Sequence, residues 1–146
     1  MKIAIGCDNN AYGLKEEIKK YIGSLGHEVL DCGCHTLDPI DYPDVALLVA
    51  EAITGGKADR GVLICGTGIG MAMAANKVPG IRAAQCHDVY SAERAALSND
   101  AHIITIGAQI VGNQLAKTVV RTWLENQFAG GPSARKIEKI MNIERR

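Results

Sequence analysis

The chain has 146 residues, with 16 basic and 16 acidic side chains and a formal net charge of zero. That balance, with 4% aromatic residues, argues against a nucleic-acid binder, which needs a basic stripe and stacking rings. A hydrophobic share of 47% excludes a disordered chain, and the length suits one domain over residues 1–146.

The first apolar stretch, Ile3–Cys7, is cut by Asp8 and then by Lys15, Glu16 and Glu17, so no secretion-signal core is expected. The uncharged run Gly61–Ala75 is too short and too glycine-rich to span a bilayer. Five cysteines, an odd number, fit reduced thiols in the cytoplasm.

Short apolar runs alternate with amphipathic stretches along the whole chain. Lys2–Cys7 reads as a buried strand. Ala11–Leu25 reads as a helix: Leu14, Ile18, Tyr21, Ile22 and Leu25 recur at helical spacing, with Lys15, Glu16, Glu17, Lys19 and Lys20 on the wet side. Glu28–Cys32 is a second strand. A second helix starts at Asp41-Tyr42-Pro43-Asp44, with proline in its first turn, and stops at Gly55-Gly56. Gly61–Cys65 is continuous and apolar, as a central strand should be. Gly70–Lys77 is a short helix, Ile81–Cys86 a fourth strand and Tyr90–Leu97 a fourth helix. His102–Ile106 is a fifth strand, Asn113–Gln127 a long helix and Ser133–Glu144 a last, charged one. The apolar positions of that last helix, Ile137, Ile140, Met141 and Ile143, need a surface to cover, and a neighbouring subunit would supply one.

Five strands separated by helices predict an α/β fold: one three-layer, Rossmann-like domain with a five-stranded parallel sheet and helices on both faces. Such sheets bind ligands beyond the carboxyl ends of their strands. The stretches to inspect are therefore Cys7–Asn10, Cys32–His35, Cys65–Gly70, Cys86–Asp88 and Gly107–Gln109.

Cys65-Gly66-Thr67-Gly68-Ile69-Gly70 stands where a strand turns into a helix. Alternate glycines let backbone N–H groups approach an anion, and the helix dipole favours negative charge there. Met71 stands where a dinucleotide fingerprint needs its third glycine, and no Gly-Lys-Ser/Thr follows. A thiol at a helix start is eased toward thiolate and can act as a base, and the Thr67 hydroxyl can give and take a proton. Base, hydroxyl and backbone donors together suit proton abstraction beside a carbonyl. The bland alternatives are a tight turn that needs its glycines and a Cys65 that is inert core.

Several stretches together resemble the ribose-5-phosphate isomerase B / galactose-6-phosphate isomerase family. They are Gly6-Cys7-Asp8, Asp41-Tyr42-Pro43, Leu63 through Met71, Ala74-Ala75-Asn76-Lys77, Gly80 through Ala84 and Tyr90-Ser91-Ala92. The likeness runs along almost the whole chain. It implies a metal-free, cofactor-independent aldose–ketose isomerase of sugar phosphates, working as a homodimer or a dimer of dimers with its active site between subunits. On this resemblance Cys65 is the base that moves a proton between C1 and C2. Thr67 relays protons between O1 and O2, and the backbone of Gly66, Gly68, Ile69 and Gly70 is the anion hole. Asp8, Asn9 and Tyr42 fall on substrate-side positions and Asn99 on a binding asparagine.

The departures from the family pattern fall at one end of the substrate. Asn9 stands where a histidine is usual, and Ser98 replaces the histidine assigned to opening the sugar ring. The phosphate-binding arginines fall on Gln109, Pro132 and Lys136, of which only Lys136 is charged. A sugar that cannot cyclise needs no ring opener, so a tetrose or tetrulose 4-phosphate competes with ribose 5-phosphate as substrate. The segment Tyr90 through Asn99 also resembles the branch of the family that isomerises erythrulose 4-phosphate. Relaxed activity on unphosphorylated sugars is a further reading. A non-catalytic, flavodoxin-like module holding a phosphorylated ligand is the contrasting one.

Other residues carry weaker signals. His87 either faces a ligand or bonds Asp88, and His102 is a remote replacement for the missing histidine. Cys32-Gly33-Cys34-His35 has metal-like composition, and Cys7 stands near it if the strands adjoin. The spacing, however, is neither that of zinc pairs nor C-x-x-C, and no metal is expected.

Overall fold

The computed structural model describes all residues, Met1–Arg146. Five strands, β1 (Lys2–Cys7), β2 (Glu28–Asp31), β3 (Arg60–Cys65), β4 (Ala83–Gln85) and β5 (Ile103–Gly107), form one parallel sheet in the order β2-β1-β3-β5-β4. The helices are α1 (Tyr12–Ser24), α2 (Tyr42–Thr54), α3 (Ile69–Ala75), α4 (Val89–Leu97), α5 (Asn113–Leu124) and α6 (Pro132–Glu144). The expected α/β class is what the structure shows. Element ends move by one to three residues: β4 is clipped to three, and α5 stops at Leu124 rather than Gln127.

Two apolar layers hold the sheet. Ile3, Ile5, Val62, Ile64, Ile104 and Ile106 face α1, α4 and α5, whose inward row includes Ile18, Ala95, Val119 and the fully buried Trp123. Ala4, Leu63 and Ile103 face α2 and α3 through Val45, Val49 and Met71. The two leftward crossovers, β1 to β2 and β4 to β5, use one face, and the two rightward ones use the other. All four thus share one hand, as parallel sheets require. The chain reverses direction between β1 and β3, so a crevice opens at their carboxyl ends, where such folds place ligands.

The structure corrects one expectation of the α1 pattern. Lys15 is not on the wet side but fully buried. Positions 15, 18 and 22 share a stripe, and the ammonium at its head meets a carboxylate from β2. Lys15 Nζ donates to both oxygens of Asp31 at 2.9 and 3.0 Å and to the Cys34 carbonyl at 2.6 Å. Burial pushes the Asp31 carboxyl up, but hydrogen bonds from Lys15, Lys19 and the Gly33 N–H outweigh it, and its pKa falls to about 2. The carboxylate is therefore favoured in the folded state. The stability it contributes, about 2 kcal/mol, is complete at neutral pH and is lost as pH falls from about 4 through 2. Asp31→Asn strands the buried ammonium and is expected to cost about 3 kcal/mol in urea unfolding at pH 7. The same variant flattens the acid limb of the stability profile. An unchanged acid limb would show that other carboxylates set it.

Candidate active site

The register that sets Cys7 opposite Ile64 brings Asp8, at the end of β1, beside Cys65 at the end of β3. On the other side of β3, Cys65 is opposite Gly107 of β5. Asp8, Asn10, Tyr42, Cys65, Gly66, Thr67, Ile69, Gly70 and Met73 line one cleft at this edge.

Cys65 is 5% exposed, and its Sγ accepts the Gly68 N–H at 3.1 Å. Thr67 is exposed on the turn, and its Oγ1 accepts the Ile69 N–H at 3.2 Å. Gly68 makes the turn in the left-handed region, φ +78°, which strains any residue with a Cβ. The Asp8 side chain is nearly buried and accepts the Asn10 N–H at 3.0 Å, closing the turn that leads out of β1. The Tyr42 ring, at the start of α2, lies against Gly70. The Gln109 carboxamide lies over Gly66, and the Gln109 backbone N–H donates to the Gly66 carbonyl at 3.0 Å. A thiol, a hydroxyl, a carboxylate and a phenol thus converge on one open cleft. That set can move protons between adjacent carbon and oxygen atoms.

Several expected site residues lie elsewhere. Asn9 turns away, and its Oδ1 accepts the Ile40 N–H at 3.2 Å; the neighbour, Asn10, lines the cleft instead. Gly68 is buried with its N–H on Cys65, so it shapes the loop from beneath rather than lining it. Ser98 and Asn99 follow α4, just before β5, so they sit at the amino edge of the sheet, opposite Cys65. The Ser98 hydroxyl accepts from Arg94 at 3.3 Å, and Asn99 lines a second cleft with Arg82, Arg94 and Ser91 along the free edge of β4. Lys136 is exposed on α6. That helix is tied to the amino edge at both ends, by the Ala129 N–H on the Leu97 carbonyl and the Glu144 carboxylate on the Gly80 N–H. A parallel sheet with antiparallel helices separates the two edges by a strand's length, so one chain cannot bring these residues to Cys65.

Both histidines near the strands accept a backbone N–H. His87 Nε2 accepts the Gly107 N–H at 2.8 Å, which places its proton on Nδ1, and burial holds the imidazole below its ordinary pKa range. Asp88 does not bond His87; it caps α4 through Ser91 at 2.7 Å. His102 Nδ1 accepts the Arg82 N–H at 3.1 Å, at the amino edge. The Cys7 and Cys34 sulfurs stand 3.7 Å apart, and burial first, then Cys34, pushes the Cys7 thiol up to about 12.

Residues 3–140 match the Ribose/Galactose Isomerase family. The chain is 51% identical to the D-erythrulose-4-phosphate isomerase of Pectobacterium atrosepticum, over 96% of this chain and 93% of that one. It is 48% identical to the ribose-5-P isomerase B of Listeria innocua, over 100% and 99%. The solved ribose-5-phosphate isomerase B of Clostridium thermocellum superposes with a TM-score of 0.97 at 49% identity, covering 99% of this chain and 98% of that one. A matching family pattern over nearly the whole length, on the same fold, leaves one assignment: the chain belongs to the ribose/galactose isomerase family of sugar-phosphate isomerases.

Proposed function

We propose that the chain interconverts a four-carbon aldose phosphate and ketose phosphate through an enediolate, with Cys65 as the base and Thr67 as the hydroxyl relay. The observation that carries the chemistry is the pair of loop hydrogen bonds, Gly68 N–H on Cys65 Sγ and Ile69 N–H on Thr67 Oγ1, at the mouth of one cleft. In this reading Cys65 takes the proton from C2 of the aldose and returns it to C1, while the O2 proton passes to O1 by way of Thr67. With the Gly68 and Ile69 N–H groups held by Cys65 and Thr67, the Gly66 and Gly70 N–H groups are loop donors left to meet the enediolate oxygens, and such preorganised donors usually contribute most to lowering a barrier of this kind. Asp8, Tyr42 and Asn10 orient the carbon chain. The residues of this chain do the chemistry, without a cofactor.

Ser98 favours the short sugar. Its hydroxyl is engaged by Arg94, and no imidazole stands in its place to open a ring. A sugar with phosphate on O4 has no free hydroxyl to close a five-membered ring, so it arrives open. The relative from Pectobacterium carries a tetrulose phosphate in its name, in line with this preference.

The same reading makes the active unit an oligomer. Ser98, Asn99 and Lys136 reach a substrate held at Cys65 only if they come from a second chain, as a homodimer or a dimer of dimers provides. Ile69 and Met73, at 53% and 65% exposure on the cleft's rim, leave apolar surface for that neighbour. Ile140 and Ile143 on α6 do the same. We place the protein in the cytoplasm on its odd set of free thiols, and no helix is long and apolar enough to cross a membrane.

The test is a side-by-side assay on erythrulose 4-phosphate and ribose 5-phosphate without added metal. Erythrulose 4-phosphate is expected to show the higher kcat/KM by roughly tenfold or more, and Ser98→His to narrow the gap. Faster turnover of ribose 5-phosphate would overturn the four-carbon assignment. Turnover of free sugars alone would remove phosphate from it.

A further inference from the structure

We propose that Gln85 and Thr105 are positioning residues that aim the loop's two N–H groups at Cys65 and Thr67; this rests on the reading that those two side chains do the chemistry. In a trans peptide the C=O and N–H point in opposite directions, so a partner on the oxygen fixes where the hydrogen points. Gln85 Nε2, at the end of β4, donates to the Thr67 carbonyl at 2.8 Å. The N–H of that same peptide belongs to Gly68 and lands on Cys65 Sγ. Thr105 Oγ1, inside β5, donates to the Gly68 carbonyl at 2.8 Å. The N–H of that peptide belongs to Ile69 and lands on Thr67 Oγ1. Each reacting side chain thus receives one N–H, and each of those peptides is pinned from behind by a side chain of a neighbouring strand.

Both residues are odd where they stand unless they serve the loop. Thr105 is fully buried on the face of β5 that it shares with Ile103, where valine would pack as well, and its hydroxyl's one hydrogen bond is to the Gly68 carbonyl. The Gly68 carbonyl is also taken by the Ala72 N–H of α3 at 3.2 Å, so the hydroxyl is not there merely to satisfy an orphan acceptor. Gln85 is exposed, yet its carboxamide reaches across to the loop, 18 residues back in the chain. Gly68, in its left-handed conformation, has no side chain of its own to fix the peptide planes. The two strands supply what the turn lacks.

The experiment compares Gln85→Glu and Thr105→Val with wild type and with the conservative Thr105→Ser. Gln85→Glu keeps the shape and replaces the donor by an acceptor facing a carbonyl; Thr105→Val keeps the shape and removes the hydroxyl. Each is expected to lower kcat by roughly tenfold with KM within about twofold, and Thr105→Ser to stay near wild type. The second readout needs no turnover: the rate at which iodoacetamide alkylates Cys65, followed by mass spectrometry of the peptide. Gln85→Glu is expected to slow it by roughly tenfold, because the sulfur loses the N–H that holds it in place. Unchanged kcat and unchanged Cys65 alkylation in Gln85→Glu and Thr105→Val would overturn the proposal, as would a loss confined to KM. If wild type turned over no sugar, the isomerase reading would fail, and the alkylation rate of Gln85→Glu would still decide whether the Gly68 N–H is aimed at Cys65 from behind.

Discussion

Replacing Cys65 by alanine is expected to leave a folded protein that binds sugar phosphate and scarcely turns it over. The thiol ends β3 on the α2/α3 face, in a cluster with Val45 and Met71, and cutting it to a methyl group removes one atom from a well-filled layer. That loss costs about 1 kcal/mol, small against the stability of a domain with this core. In the proposed reading other groups make the phosphate and hydroxyl contacts of a bound sugar, so KM or a calorimetric Kd should hold within a few-fold. The chemical step has no substitute for the sulfur, and kcat should fall by roughly a thousandfold, as when a positioned base is lost. The measurement is steady-state turnover of erythrulose 4-phosphate beside binding of the same sugar. A variant that keeps a tenth of its turnover would move the base to another group. Asp8, the one carboxylate lining the cleft, would be next to replace.

How much of this is legible in the sequence depends on whether a residue acts through its own side chain. The strands are, because Gly61–Cys65 is a continuous apolar run and Ile103–Ile106 is broken only by Thr105, and only a sheet covered on both faces can bury them. Their order is not: which crossovers skip a strand leaves no mark on hydrophobic periodicity. The loop is visible from its glycines and from a thiol placed before them. Charge alone assigns Lys15 to water, whereas its stripe with Ile18 and Ile22 points inward and Asp31 waits at the end of β2. Gln85 and Thr105 give no signal, since they touch only backbone, and a backbone carbonyl has no residue type to pair with. Asn9 and Asn10 show the limit of a pattern carried over position by position. Two asparagines in a row follow Asp8, and the turn out of β1 decides which one faces the cleft. Ser98, Asn99 and Lys136 are legible only through the family resemblance. The topology then explains why one chain keeps them apart from Cys65.

The loop is held in place from one more side, and the largest structural effect is expected there. Gly107 ends β5 directly beside Cys65, and a Cβ on it would stand 2.7 Å from both the C and Cα atoms of Thr67. Those are backbone atoms, so no rotamer change relieves the contact; either β5 or the Cys65–Gly70 turn must move. β5 is poorly placed to give way, because the Gly107 N–H is bound by His87 and the Thr105 hydroxyl ties the strand to the Gly68 carbonyl. The turn therefore shifts, and with it the peptides that point at Cys65 and Thr67. A misplacement of about 1 Å in a catalytic array costs roughly a hundredfold in rate, and overpacking costs about 1–3 kcal/mol in stability. Gly107→Ala should accordingly lose far more activity than its fall in urea midpoint explains, with kcat down roughly a hundredfold in protein that remains folded at the assay temperature. Gly112→Ala is the matched control. It lies five residues on, and its added Cβ meets nothing within 4 Å, so it should keep wild-type activity, with only a small fall in urea midpoint from the poorer cap of α5. Equal activity in the two variants would mean that the turn tolerates displacement. The rigid aim of its N–H groups would then not be what the chemistry depends on.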